Sequence, residues 1–157
     1  MTIDADLTLL TGFGSEEAFV DTLLATFPSR REDSREFALR HRVLLVQTSA
    51  NVPLDIAFGA LPFEERSVER ASPWVWEQGH SLITCSAEDL LVHKIFAGRE
   101  RDWSDAEGLL IRQCGKLKLD LVRSELRPLL ELKGETQSLE RLETLIGTVD
   151  RRLRAGS

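Results

Sequence analysis

Apolar residues alternate with polar ones, or recur every three to four positions, along most of the chain, and the two periods predict its elements. Thr2 to Leu10 reads as a strand with Ile3, Ala5 and Leu7 on one face and Asp4 and Asp6 on the other, closed by a turn over Thr11–Gly14. Phe19, Val20, Leu23, Leu24 and Phe27 repeat at helical spacing behind Ser15, Glu16 and Glu17, and Pro28 ends the run. Arg30 to Arg35 reads as a solvated, charged loop. Val43–Val46, within Ala38 to Thr48, and Pro53–Phe58 are β-type runs joined through Ser49-Ala50-Asn51, which predicts neighbouring antiparallel strands. In the second run Leu54, Ile56 and Phe58 share one face. Asp55 lies on the other, with Pro53 and Ala57.

Phe63 to Arg70 reads as a short polar helix, and Ser72 to Trp76 as a loop entering a short strand near His80–Thr84, with Trp74 and Trp76 expected in the core. Ser86 opens a capped helix that runs through Leu90, Leu91, Ile95 and Phe96 to Gly98. Ser104-Asp105-Ala106-Glu107 has the spacing of a second capping box, for a helix closing at Gly115, and leaves Arg99 to Trp103 as a charged link. Asp120–Lys133, with a bend expected at Pro128, and Ser138–Arg154 read as amphipathic helices, the latter with Leu139, Leu142, Leu145, Ile146 and Leu153 on one stripe. The expected fold is therefore α/β in the α+β sense, a mixed β-sheet flanked by helices with a helical C-terminal part. Residues 1–115 would form the core, and residues 116–157 would pack on the same domain.

Composition narrows the chemistry. A chain of 157 residues is sized for one core. Its net charge of -6 argues against a broad phosphate-tracking surface. Two cysteines, Cys85 and Cys114, are too few for a disulfide framework or a zinc site and read as buried free thiols of a cytoplasmic protein. No apolar run is long enough to span a membrane, so no membrane partner is expected. Asp4 and Asp6 side by side repel one another unless a cation or strong donors sit between them. If Asp55 joins them from the neighbouring hairpin, three carboxylates suit a hard cation, Mg²⁺ with Mn²⁺ as its substitute, that is completed by substrate phosphates. Phosphoryl or nucleotidyl transfer follows as the natural chemistry, with Lys94 as the positive charge for a triphosphate.

Several segments carry a resemblance: Thr2-Ile3-Asp4-Ala5-Asp6-Leu7, Val52-Pro53-Leu54-Asp55-Ile56-Ala57, Leu61-Pro62-Phe63-Glu64, Ser86-Ala87-Glu88-Asp89-Leu90, and Lys94 through Asp105 with its Arg99-Glu100-Arg101-Asp102-Trp103. Together they resemble the successive motifs of nucleotidyltransferase-fold proteins related to the AbiEii-type nucleotidyl transferase toxins and the minimal nucleotidyltransferases. The resemblance implies Asp4, Asp6 and Asp55 as metal ligands and catalytic carboxylates, and Lys94 on the nucleotide phosphates. Arg99, Arg101, Asp102 and Asp105 would lie around the nucleotide, the two aspartates as partners of Arg99, Arg101 or Lys94. It implies transfer of a nucleotide from a nucleoside triphosphate to an RNA or protein acceptor, within a toxin and antitoxin pair. The family carries a Gly-Gly or Gly-Ser turn upstream of the Asp-X-Asp, whereas Met1 here directly precedes Thr2. The alternative expectation is therefore a catalytically impaired member that acts as a binding partner or antitoxin. A homodimer is expected to cover the edge of the first strand or the C-terminal apolar stripe.

Overall fold

The computed structural model describes residues 4–155. Its elements are β1 (Ala5–Leu10), α1 (Glu16–Thr26), α2 (Ser34–His41), β2 (Val43–Gln47), β3 (Pro53–Gly59), α3 (Pro62–Arg70), β4 (Ser72–Glu77), β5 (His80–Thr84), α4 (Ala87–Ala97), α5 (Glu100–Gln113), α6 (Leu119–Lys133) and α7 (Gln137–Ala155). The architecture is α+β, with a mixed sheet and a helical C-terminal part, as the periodicities predict. Thr2 and Ile3, the start of the expected first strand, lie outside the described residues. The chain forms two compact units, one ending at Arg66 and the other beginning at Ser67.

In the first unit the sheet order is β1-β3-β2, with β1 parallel and β2 antiparallel to β3. Leu44, Val46, Ile56 and Phe58 point to one face and are buried with Val20 of α1 and Ala38 of α2, while Leu23, Leu24 and Phe27 close the layer. The period of two puts Asp6, Thr8, Asp55, Ala57 and Gly59 on the opposite face. Gly59 is tightly enclosed there: a Cβ would meet Leu10 Cδ2 at 3.0 Å and Thr8 Cγ2 at 3.1 Å, so those side chains would have to shift by a few tenths of an ångström. Arg42 stands at φ 56 after α2 and binds the Phe58 carbonyl through Nε (3.1 Å) and Nη2 (2.7 Å). The same guanidinium reaches the Gly12 carbonyl at 3.0 Å and pairs with Glu16, which ties the glycine turn after β1 to the end of β3.

In the second unit α4 touches α5, α6 and α7. Leu91, Val92 and Ile95 of α4 are buried with Trp103, Leu109, Val122, Leu126, Leu142, Ile146 and Val149 from the other three helices. Ser86 caps α4 by accepting from the Asp89 N–H at 3.0 Å, as its motif predicts, and Gly98 ends the helix at φ 71. Leu142 and Ile146 of the α7 stripe are buried and Leu139, Leu145 and Leu153 are half-buried, and α6 runs through Pro128 as one element.

Several local expectations change. Part of the charged loop is helix: α2 begins at Ser34, and Ser34 and Ala38, one turn apart, give its short polar sequence an inward face. The link between the two capped helices is the first turn of α5, which starts at Glu100 with Asp102 reaching back to the Arg99 N–H at 3.2 Å; the Ser104 box lies inside the helix. Trp74 and Trp76 are not in the core. They stand 56% and 48% exposed on a β4–β5 hairpin whose first strand had read as a loop. Cys85 and Cys114 are exposed rather than buried. No helix among the described residues is long and apolar enough to cross a membrane.

Candidate functional site

The first cluster is built by strand register. Asp6 of β1 is the direct partner of Asp55 of β3, and partners in a parallel pair project to the same side from strands about 4.8 Å apart. Two carboxylates therefore stand next to each other on the sheet face opposite the buried core. Asp4 lies just before β1 and is half-buried. Opposite charge comes from a residue that its loop position had marked as merely solvated. Arg30 donates from Nη2 to the Asp55 carboxylate, and both side chains are roughly a quarter to a third exposed (26% and 31%). The loop is held for this contact: Arg30 N–H donates to the Leu45 carbonyl at 3.1 Å, and Ser29 bridges to Val46 of β2. Among the described residues, no group of three His, Cys, Asp or Glu side chains is gathered closely enough to hold a metal ion.

A second cluster belongs to the other unit, where α4 meets α5. Lys94 Nζ donates to Asp105 Oδ2 at 2.8 Å and stands 3.6 Å from Asp102 Oδ1. Asp102 has no exposed side-chain surface and accepts from the Arg99 backbone N–H at 3.2 Å, Nε at 2.5 Å and Nη2 at 3.2 Å. Burial alone would raise the Asp102 pKa, but the Arg99 guanidinium and the nearby Lys94 ammonium hold it below the usual carboxylate range. The hydrogen bond to Asp105 keeps the Lys94 ammonium above its ordinary pKa against partial desolvation. Lys94 is thus a fully charged, half-buried cation with two acidic neighbours. Arg101 is exposed one residue before Asp102.

Sequence reasoning missed a third constellation. Arg70, at the end of α3, donates through Nη2 (2.5 Å) and Nε (3.1 Å) to Asp89 and through Nη1 (2.9 Å) to Glu125. Ser86 Oγ also donates to Asp89, at 2.6 Å. Asp89 and Glu125 are almost wholly buried, so the triad is a structural clamp on α4 and α6. Asp89 was legible as a capping residue, but an arginine reaching it from another element leaves no periodic signal.

These arrangements define an α+β protein with a paired-aspartate sheet face in one unit and a lysine–aspartate cluster in the other. Comparison with known proteins adds nothing to that class, since no family model and no curated protein matches the chain.

Proposed function

We propose that this chain is a nucleotidyltransferase-fold protein that transfers a nucleotide from a nucleoside triphosphate to an RNA or protein acceptor, with Mg²⁺ or Mn²⁺. The observation that carries the reading is the register of β1 against β3, which makes Asp6 and Asp55 neighbours on the sheet face opposite the buried core. Mg²⁺ is commonly held by one or two carboxylates with waters and substrate phosphates supplying the rest, so a pair fits it without a third protein ligand. When bound, such an ion neutralises phosphate charge and lowers the pKa of an attacking oxygen. Asp4 precedes β1 next to the pair in sequence, and Arg30 is ion-paired with Asp55. Lys94, in the second unit and paired with Asp102 and Asp105, is the phosphate-binding candidate, and Arg99 is bonded to the same Asp102.

The test is calorimetric titration with each nucleoside triphosphate in the presence of Mg²⁺. Metal-dependent heat that disappears in Asp6→Asn with Asp55→Asn, at unchanged circular dichroism, supports the reading. Equal heats in wild type and variant sink the assignment of these two carboxylates.

A second reading has its own support. Arg30 is committed to Asp55, and Lys94 to Asp102 and Asp105, so the charges that catalysis needs already satisfy one another. That balance suits a catalytically impaired protein that acts by binding a cognate toxin or antitoxin. It predicts no nucleotide-dependent heat, together with co-purification of a stoichiometric partner.

A further inference from the structure

Four chain segments of the first unit contribute to a single row of side chains. Pro28–Arg30 runs antiparallel beside β2: Gln47 N–H donates to the Pro28 carbonyl at 3.0 Å, Arg30 N–H donates to the Leu45 carbonyl at 3.1 Å, and Ser29 bridges to Val46 between them. In that register Arg30 stands opposite Leu45, Leu45 is the partner of Asp55, and Asp55 is the partner of Asp6. Opposed residues of neighbouring strands project to the same side, so Arg30, Leu45, Asp55 and Asp6 form one row across the sheet face opposite the core. Val46, one position away, points into the core.

The Arg30 backbone lies two strands from Asp55, roughly 10 Å at ordinary strand spacing, so its side chain spans β2 and only the guanidinium meets the carboxylate. Asp6, one strand further, has no ion-pair partner among the described residues. One guanidinium therefore stands against two carboxylates, and the row is one positive charge short. Carboxylates held side by side repel one another unless cations or donors come between them, and this donor set suits a hard cation that takes its remaining oxygens from water and phosphate. Yet a cation that uses Asp55 meets the Arg30 guanidinium already there, and the two positive charges exclude one another at contact distance.

We propose that Arg30 makes the carboxylate pair selective for a metal–triphosphate complex over the bare metal ion: it competes with a bare divalent cation for Asp55, and it turns to the phosphates when the cation brings them. The role presupposes the nucleotidyl-transfer reading and adds a control on the same site. The main chain permits the exchange, because the hydrogen bonds at Pro28 and Arg30 fix the backbone to β2 without using the side chain. A group that must leave before a ligand binds lowers the apparent affinity in proportion to the time it is engaged. The same guanidinium, once released, matches phosphate oxygens with its paired N–H donors and recovers that cost for the phosphate-bearing ligand alone.

The experiment follows two ligands on the full chain, and neither readout needs turnover: Mn²⁺ by loss of the free ion's electron paramagnetic resonance signal, and inorganic triphosphate with Mn²⁺ by calorimetry. Arg30→Gln removes the guanidinium, with circular dichroism to verify the fold, and Arg30→Lys keeps a positive charge there. Arg31→Gln makes the same change in net charge one residue away, at an arginine that bonds Asp33 instead. Arg30→Gln should bind Mn²⁺ at least about fivefold more tightly than wild type and the Mn²⁺–triphosphate complex at least about fivefold more weakly, the low end of couplings between binding events. Arg30→Lys should shift both in the same directions by less, and Arg31→Gln should match the wild type. Equal Mn²⁺ affinities in wild type and Arg30→Gln, both abolished by Asp6→Asn with Asp55→Asn, overturn the proposal and leave the carboxylate reading standing. An equal gain in Arg31→Gln overturns it too, as an effect of net charge. A gain for the bare ion without a loss for the triphosphate complex overturns the selectivity. No Mn²⁺ bound by either wild type or Arg30→Gln sinks the carboxylate reading itself, and the role of Arg30 with it.

Discussion

Asp102 illustrates how a buried carboxylate is kept charged. It has no exposed side-chain surface, and removing such a group from water costs several kcal/mol unless donors replace the lost hydration. Three donors from Arg99 and the Lys94 ammonium supply that replacement. Asp102→Asn keeps the shape but removes the charge and turns one acceptor into a donor aimed at other donors. The expected loss is about 1–3 kcal/mol of stability in urea denaturation, the range for losing a charge-assisted hydrogen bond in a buried site. The pH dependence has a definite sign. Asp102 titrates lower in the folded chain than in the unfolded one, so below about pH 4 the unfolded chain takes up its proton first and the stabilisation drains away as acidity rises. Melting temperatures measured from neutral pH downward should therefore fall more steeply in the wild type than in Asp102→Asn.

At the scale of elements, α4 shows why local signals succeed and long-range ones do not. The Ser86 hydroxyl accepts from the Asp89 N–H, and the same hydroxyl donates to the Asp89 carboxylate, so one side chain starts the helix and fixes a member of the Arg70 clamp. Ser86→Ala removes both contacts, and its expected cost is about 1–2 kcal/mol in thermal or denaturant unfolding, at the upper end for an N-cap. Ser86→Asn, which can cap but cannot donate in the same way, should recover part of it. The cap, the Gly98 terminus, the β-type run of β2, the alternation in β3, and the antiparallel pairing of those strands were all legible in sequence, because each depends on residues within a few positions of one another. The start of α5 was not. Ser104 and Glu107 have capping-box spacing, yet Asp102 supplies the reach-back contact one turn earlier. The short α2 was lost for a similar reason: eight polar-rich residues carry almost no periodic signal, and Ala38 is buried because the sheet lies beneath it. At the candidate site, the face that Asp55 takes within β3 follows from period two, whereas its pairing with Asp6 is set by the β1–β3 register. The Arg30 contact with Asp55 is not legible in sequence, because loop chemistry sets no direction for a side chain.

On the scale of the whole molecule, the division at Arg66 and Ser67 falls inside α3, so that helix starts in one compact unit and ends in the other. Its start is fixed by Glu64, whose Oε2 accepts from the Ala60 and Leu61 N–H groups at 2.8 Å each. Its end delivers Arg70 to Asp89 and Glu125, two buried carboxylates on separate helices of the second unit. A cut at the boundary would halve the helix, whereas a fragment of residues 62–157 keeps Arg70 in place. That fragment should give a helical circular dichroism spectrum and a single cooperative urea transition. Arg70→Ala, in the fragment or in the full chain, removes the guanidinium that Asp89 and Glu125 share and takes one donor set from each buried carboxylate. Breaking a buried ion network by removing one partner costs about 3–5 kcal/mol, a large share of the ~5–15 kcal/mol that holds a domain folded. The variant should therefore show a much lower urea midpoint, and its hydrogen-exchange protection should fall first in α4 and α6, the two helices that the guanidinium joins. Protection in those helices equal to the wild type would show that packing of Leu91, Val92 and Leu126 alone holds them together.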